Sequence, residues 1–181
     1  GSSKGESSLF SETAQALGEA IANRGLGLVY GGGNVGLMGI VANAALAKGG
    51  EVIGVITEGL VKLEVAHKGL PDLRVVNSMH ERKALMADLS GAFIALPGGF
   101  GTMDELFEIL TWSQLGIHAK PVGLLNMAGY YDELLAFLAS MERHGFVRAE
   151  HSSHLLSAKT VDDLLFKLTQ APEGKTVAKW R

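Results

Sequence analysis

Short apolar runs alternate with helix-patterned segments along almost the whole chain, and two of those runs close on glycine clusters that open straight into a helix. Leu26 to Tyr30 leads into Gly31-Gly32-Gly33-Asn34-Val35-Gly36, and Ala92 to Leu96 leads into Pro97-Gly98-Gly99-Phe100-Gly101-Thr102. Strands that are apolar throughout, without a polar alternate face, suit a sheet buried on both sides. Their regular exchange with helices calls for parallel pairing with helices on both faces. A chain built this way places its ligands at the carboxyl ends of the strands.

The pattern predicts helices over Ser8 to Asn23, Val35 to Lys48, Met79 to Ser90, Thr102 to Leu115 and Tyr130 to His144, with a last helix capped by Thr160 and running to Leu168. Strands are expected at Leu26 to Tyr30, Glu51 to Thr57, Leu73 to Val76, Ala92 to Leu96, Pro121 to Leu125 and Leu155 to Ser157. Glu58 to Leu70 has no clean period and reads as a loop with a helical turn. The expected fold is a doubly wound, Rossmann-like α/β domain over residues 1–171, followed by a tail from Pro172 to Arg181. Because Gly1-Ser2-Ser3-Lys4-Gly5 leads directly to a helix, a further strand is expected ahead of it.

At 181 residues with 47% hydrophobic content the chain can bury one core of ordinary size. A net charge of −3 and a pI of about 6.1 lack the basic stripe that a nucleic-acid polymer requires. Without cysteine there is neither a disulfide framework nor a thiolate metal site, which suits a reducing compartment such as the cytoplasm. The apolar runs are far shorter than the roughly 20 residues of a membrane helix, and no signal peptide is legible.

Both glycine clusters sit where bare amides and a helix dipole favour an anion. The first matches G-x-G-x-x-G, with Glu58 placed to serve as the acid of a dinucleotide site. Close packing at a tight turn is the alternative account. In the second, Gly98, Gly99 and Gly101 leave amides unobstructed and Thr102 adds a hydroxyl, which fits a phosphate group. The bland alternative makes Thr102 an N-cap and Glu105 its capping-box partner.

Met79-His80-Glu81-Arg82-Lys83 puts two cations into the first turn of a helix, where the dipole disfavours them, so an anionic ligand or a solvated charged face must account for them. His80-Glu81 does not begin a zinc-binding H-E-x-x-H, since Ala84 stands at the closing position, and His151 and His154, though spaced for one helical face, lack companion ligands. Neither metal nor cofactor is expected. The chain also lacks a G-x-S-x-G nucleophile elbow.

Taken together, Tyr30-Gly31-Gly32-Gly33 with Gly36-Leu37-Met38-Gly39, Met79-His80-x-Arg82-Lys83, Pro97-Gly98-Gly99-x-Gly101-Thr102-x-x-Glu105, Trp112 to His118 and Lys120 to Asn126 resemble the LOG (Lonely Guy) family. The resemblance runs from Gly1 to about Phe146. It implies a cytokinin riboside 5'-monophosphate phosphoribohydrolase, of a family often labelled lysine decarboxylase and including bacterial members that hydrolyse AMP. Decarboxylation usually leans on a cofactor such as pyridoxal phosphate, which these residues do not call for.

The resemblance further implies Arg82 and Glu105 as the catalytic pair. It implies nucleotide contacts from Glu64, Lys83, Gly98, Gly99, Phe100, Gly101, Thr102, Met103, Asp104 and Thr111, with Gly32 and Gly33 lining the first turn, and a homodimer. Met103-Asp104-Glu105 stands where many members carry Leu-Glu-Glu.

The expected reaction is hydrolysis of the N-glycosidic bond of a purine nucleoside 5'-monophosphate, bearing adenine or an N6-modified adenine. Two alternatives stay open. One is a non-catalytic nucleotide or molybdenum-cofactor carrier of the same fold, which would have no need of Glu105. The other is a small dehydrogenase using the first glycine cluster for NAD.

Overall fold

The computed structural model describes residues 3–63 and 66–171. The chain divides into two compact units, Gly1–Ser90 and Gly91–Arg181. Residues 172–181, read above as a tail, lie outside the described residues.

The first unit runs α1 (Ser8–Asn23), β1 (Leu28–Tyr30), α2 (Gly36–Ala47), β2 (Val52–Thr57), α3 (Glu58–Lys62), β3 (Asp72–Val76) and α4 (Met79–Leu89). Its three strands pair in the order β1-β2-β3, all parallel, with Leu28 opposite Val52 and Gly54 opposite Leu73. The apolar stripe of α1 buries Ala14, Leu17 and Ile21. Tyr30 and Val52 pack with Ala42 and Ala45 of α2 and with Ala22 of α1, while α4 lies against all three strands.

The second unit runs β4 (Phe93–Ala95), α5 (Phe100–Gln114), β5 (Val122–Leu125), a 3-10 turn (Met127–Gly129), α6 (Asp132–Arg143), α7 (Ala149–Ser152), β6 (Leu155–Ala158) and α8 (Val161–Gln170). Its strands pair in the order β4-β5-β6, again all parallel. Alternate residues of β5 explain its full burial. Val122 and Leu124 pack with Leu106 of α5 and Leu134 and Leu135 of α6. On the other face, Leu164 and Leu168 of α8 close over Gly123. Parallel strands covered on both faces are the expected α/β arrangement.

Where element boundaries differ from the sequence reading, turn chemistry is the reason. β1 starts at Leu28 because Gly25 and Leu26 are occupied in stopping α1: Gly25 N–H bonds to Ala22 O at 2.9 Å and Leu26 N–H to Ile21 O at 3.1 Å, a Schellman closure with Gly25 at φ +66°. The same closure ends α2 at Gly49 and Gly50. α6 starts at Asp132 because the 3-10 turn before it carries a left-handed Ala128, φ 53°. α7, four residues long, is too short to show a period. Thr160 caps α8, its Oγ1 accepting from Asp163 N–H at 3.4 Å.

Candidate active site

In the first unit the candidate residues gather where β1 gives way to α2. Arg82, on α4, is 8% exposed. Its Nε donates to Val55 O at 2.9 Å and its Nη1 to Met79 Sδ at 3.3 Å. Its Nη2 lies so close over Gly31 that a Cβ at that position would overlap it. The guanidinium, always charged and planar, is thus seated in a slot whose one wall is bare glycine backbone. Sequence reasoning read Gly31 as the first glycine of the cluster and assigned substrate contacts to Gly32 and Gly33 alone; the close approach of an arginine leaves no mark in sequence pattern.

Gly32 follows at φ +71°, and both it and Gly33 are buried. The turn is tied from behind. His67 N–H bonds to Gly32 O at 2.9 Å, Gly33 forms a bridge with Ala66, and Asn43 joins His67 Nε2 at 2.9 Å to Asn34 Oδ1 at 3.0 Å. One amide at the start of α2 is already committed, Leu37 N–H to Ser3 O at 3.1 Å. Glu58 opens α3, exposed, in a helix capped by Thr57.

α4 begins with a reciprocal cap: Ser78 Oγ accepts from Glu81 N–H at 3.1 Å and Glu81 Oε2 accepts from Asn77 N–H at 2.9 Å. Ser78-x-x-Glu81 is legible in the sequence as a capping box. It sets an acid in the same first turn that carries Arg82, with the half-buried Lys83 next to it. Glu64 lies outside the described residues.

In the second unit the glycine turn and α5 correct one reading of the sequence. The N-cap is Gly99, without a side-chain cap, and the first backbone bond of the helix is Met103 N–H to Gly99 O at 3.1 Å. Thr102 is therefore the third helical residue and Glu105 the sixth, so a Thr102–Glu105 capping box is ruled out. The helix starts earlier because small, unbranched Gly99 and Gly101 let the chain turn directly out of the strand. Phe100, Gly101 and Thr102 precede that first bond, so their N–H groups belong to the exposed positive end of the helix. The Thr102 side chain lies over Gly98, where any Cβ would strike its hydroxyl.

The turn is latched from the far end of β5. Tyr130 donates its hydroxyl to Gly98 O at 2.7 Å, and buried Tyr131 donates to Leu96 O. The two rings meet edge-on, with centroids 5.1 Å apart. Buried Asn126 orders the pair, accepting from Tyr131 N–H at 2.7 Å and donating to Asp132 Oδ1 at 2.7 Å. Burial pushes the Tyr131 phenol upward, with Tyr130 adding to the shift. Burial alone raises Tyr30 to about 12; both stay protonated at neutral pH. The sequence reading placed Asn126 only at the end of a family-like segment and gave Tyr130 and Tyr131 no role, since their signal is an aromatic pair after a turn and not a period.

Along α5 the remaining candidates divide. Glu105, half-buried, stands one turn beyond Gly101 and Thr102 on their face. Met103, Asp104 and Thr111 instead line an open groove with Phe107, Glu108 and Trp112. Thr111 is turned about 120° from Glu105 round the helix axis, and its hydroxyl bonds to Phe107 O at 2.7 Å. Phe100 is 96% exposed. His154 does not share a helical face with His151. It follows the end of α7, and its Nδ1 pairs with Ser113 Oγ at 2.9 Å. Among the described residues no three His, Asp or Glu side chains gather as a metal site, and no helix is long and apolar enough to cross a membrane.

The family described as "Possible lysine decarboxylase" matches residues 38–168. The "Probable cytokinin riboside 5'-monophosphate phosphoribohydrolase LOGL1" of Oryza sativa subsp. japonica is 50% identical over 170 residues, covering 94% of this chain and 76% of that protein. The "Cytokinin riboside 5'-monophosphate phosphoribohydrolase LOG3" of Arabidopsis thaliana is 46% identical over 179 residues, 98% of this chain and 83% of its own length. The chain belongs to the LOG family. Among solved structures, the Moco carrier protein of Chlamydomonas reinhardtii has the same fold, with a TM-score of 0.70 over 94% of this chain and 91% of that one, at 21% identity. Identity at that level carries the LOG-family fold and nothing of the carrier's ligand.

Proposed function

We propose that this LOG-family chain hydrolyses the N-glycosidic bond of a purine nucleoside 5'-monophosphate, with adenine or an N6-modified adenine as the base. The reading is carried by the 50% identity to a phosphoribohydrolase over 94% of the chain. The family match runs unbroken from residue 38 to residue 168, across both units, which supports one functional domain. Water adds through its oxygen to the ribose anomeric carbon as the carbon–nitrogen bond breaks. The second proton goes to the departing base, and ribose 5-phosphate and free base result.

The residues divide the work. The amides at Gly99 to Thr102, with the Thr102 hydroxyl, receive the 5'-phosphate. Glu105 faces the oxocarbenium-like charge that develops on the ribose and orients or deprotonates the attacking water. Arg82, fixed by Val55 O and Met79 Sδ, supplies a planar cation for the phosphate or ribose hydroxyls. Glu64, Lys83, Asp104 and Thr111 are assigned substrate contacts by family motif. A homodimer belongs to the same reading, supported by exposed Phe100, Leu115 and Ile117 on and just beyond α5. The absence of cysteine fits the cytoplasm.

Release of base and ribose 5-phosphate from AMP and isopentenyladenosine monophosphate tests this, with adenosine as the unphosphorylated control. Phosphate held far from the reacting bond positions the sugar, so kcat/KM for AMP should exceed that for adenosine by on the order of 100-fold or more. Equal turnover of AMP and adenosine would remove the phosphate turn from the mechanism.

A further inference from the structure

Gly98 O and Gly99 N–H belong to one peptide plane. The chain has no cis peptide bond among its described residues, so the two groups lie in that plane and point in opposite directions. Both flanking residues are glycine, so no side chain selects between this orientation and its flipped counterpart. A Cβ at Gly99 would meet nothing within 4 Å, whereas one at Gly98 would strike the Thr102 side chain. The carbonyl end of the plane is held by the Tyr130 hydroxyl, which donates to Gly98 O at 2.7 Å.

We propose that Tyr130 is a positioning residue for phosphate: by holding the Gly98 carbonyl on its own side, it fixes the Gly99 N–H on the other side as a donor to an anion. A flip of this one plane would replace the donor by a carbonyl oxygen and turn an attractive contact into a repulsive one. Tyr130 itself is placed by local structure. Left-handed Ala128 and Gly129, at φ 53° and +73°, swing the chain out of β5, and the Tyr130 ring stands edge-on, 84° to that of buried Tyr131. The proposal deepens the assignment of the glycine turn as the phosphate site and rests on it.

Tyr130→Phe tests it, because the ring and its contact with Tyr131 remain and only the hydroxyl leaves. Calorimetric titration of both proteins with ribose 5-phosphate, AMP and adenosine should show the dissociation constants of the two phosphorylated ligands rising about 3- to 10-fold, the weight of one neutral hydrogen bond. Adenosine binding should be unaltered. KM for AMP should rise by a similar factor, with a smaller loss in kcat. The Gly99 amide resonance, shifted by ribose 5-phosphate in the wild type, should shift less in the variant. Unchanged affinity for ribose 5-phosphate, or an equal loss for adenosine and AMP, would overturn the role of Tyr130 while leaving the phosphate turn standing. A wild type that binds ribose 5-phosphate no better than ribose would overturn the turn itself, and the proposal with it.

Discussion

At the scale of single residues, the sharpest feature is how little freedom Arg82 has. Two of its nitrogens are committed to Val55 O and Met79 Sδ, and a third is pressed against Gly31. Gly31→Ala should therefore push the guanidinium out of its slot, with a displacement on the order of 1 Å costing about 100-fold in kcat/KM for AMP. Steady-state kinetics of the variant beside Arg82→Ala checks this, and near wild-type turnover by Gly31→Ala would show that the slot does not matter. Such detail was legible only in part. The motif residues stood out in the sequence, whereas the roles of Gly31, Asn126, Tyr130 and Tyr131 arise from contacts between segments that the sequence pattern does not connect. The Thr102–Glu105 pair was legible but ambiguous, because a capping box and a functional pair share one spacing. Only the observed N-cap at Gly99 separates the two.

At the scale of elements, period and punctuation were enough to find nearly every helix and strand, because glycine stops and apolar runs are local properties. The exceptions are the 3-10 turn and α7, both shorter than any period. One junction makes a measurable claim. His118 follows α5 and precedes β5. Its Nδ1 accepts from Lys120 N–H at 3.1 Å and its Nε2 donates to Ile109 O at 3.0 Å, so the neutral ring is the form that fits. Burial lowers its pKa, with Lys120 and His154 adding, against the opposing bond to Ile109 O. With the folded value below the unfolded one, His118 favours the fold fully above about pH 6.5. That contribution is lost as pH falls from there toward the folded value, because the unfolded chain takes up the proton first. Thermal melts at pH 7.5 and 5.5 should show a smaller acid-induced drop in Tm for His118→Gln, which keeps a donor for Ile109 O, than for the wild type. An equal drop in both would contradict the assignment.

At the scale of the whole molecule, fold class followed from the apolar strands, and the two parallel sheets with helices on both faces bear it out. Function is a different kind of inference. The Chlamydomonas carrier has this fold at 21% identity, so architecture alone does not distinguish carrying a ligand from hydrolysing one. On the proposed reading the chemistry rests on a carboxylate one turn beyond an amide-lined glycine turn, and the central claim is that Glu105 makes the molecule a hydrolase. The most direct measurement follows free base and ribose 5-phosphate from AMP with wild type and Glu105→Gln side by side, together with AMP affinity. The account predicts equimolar release of both products by the wild type, a fall of roughly 10²- to 10⁴-fold in kcat for the variant, and AMP affinity within a few-fold of wild type. No ribose 5-phosphate from the wild type, or equal rates from both proteins, would contradict it.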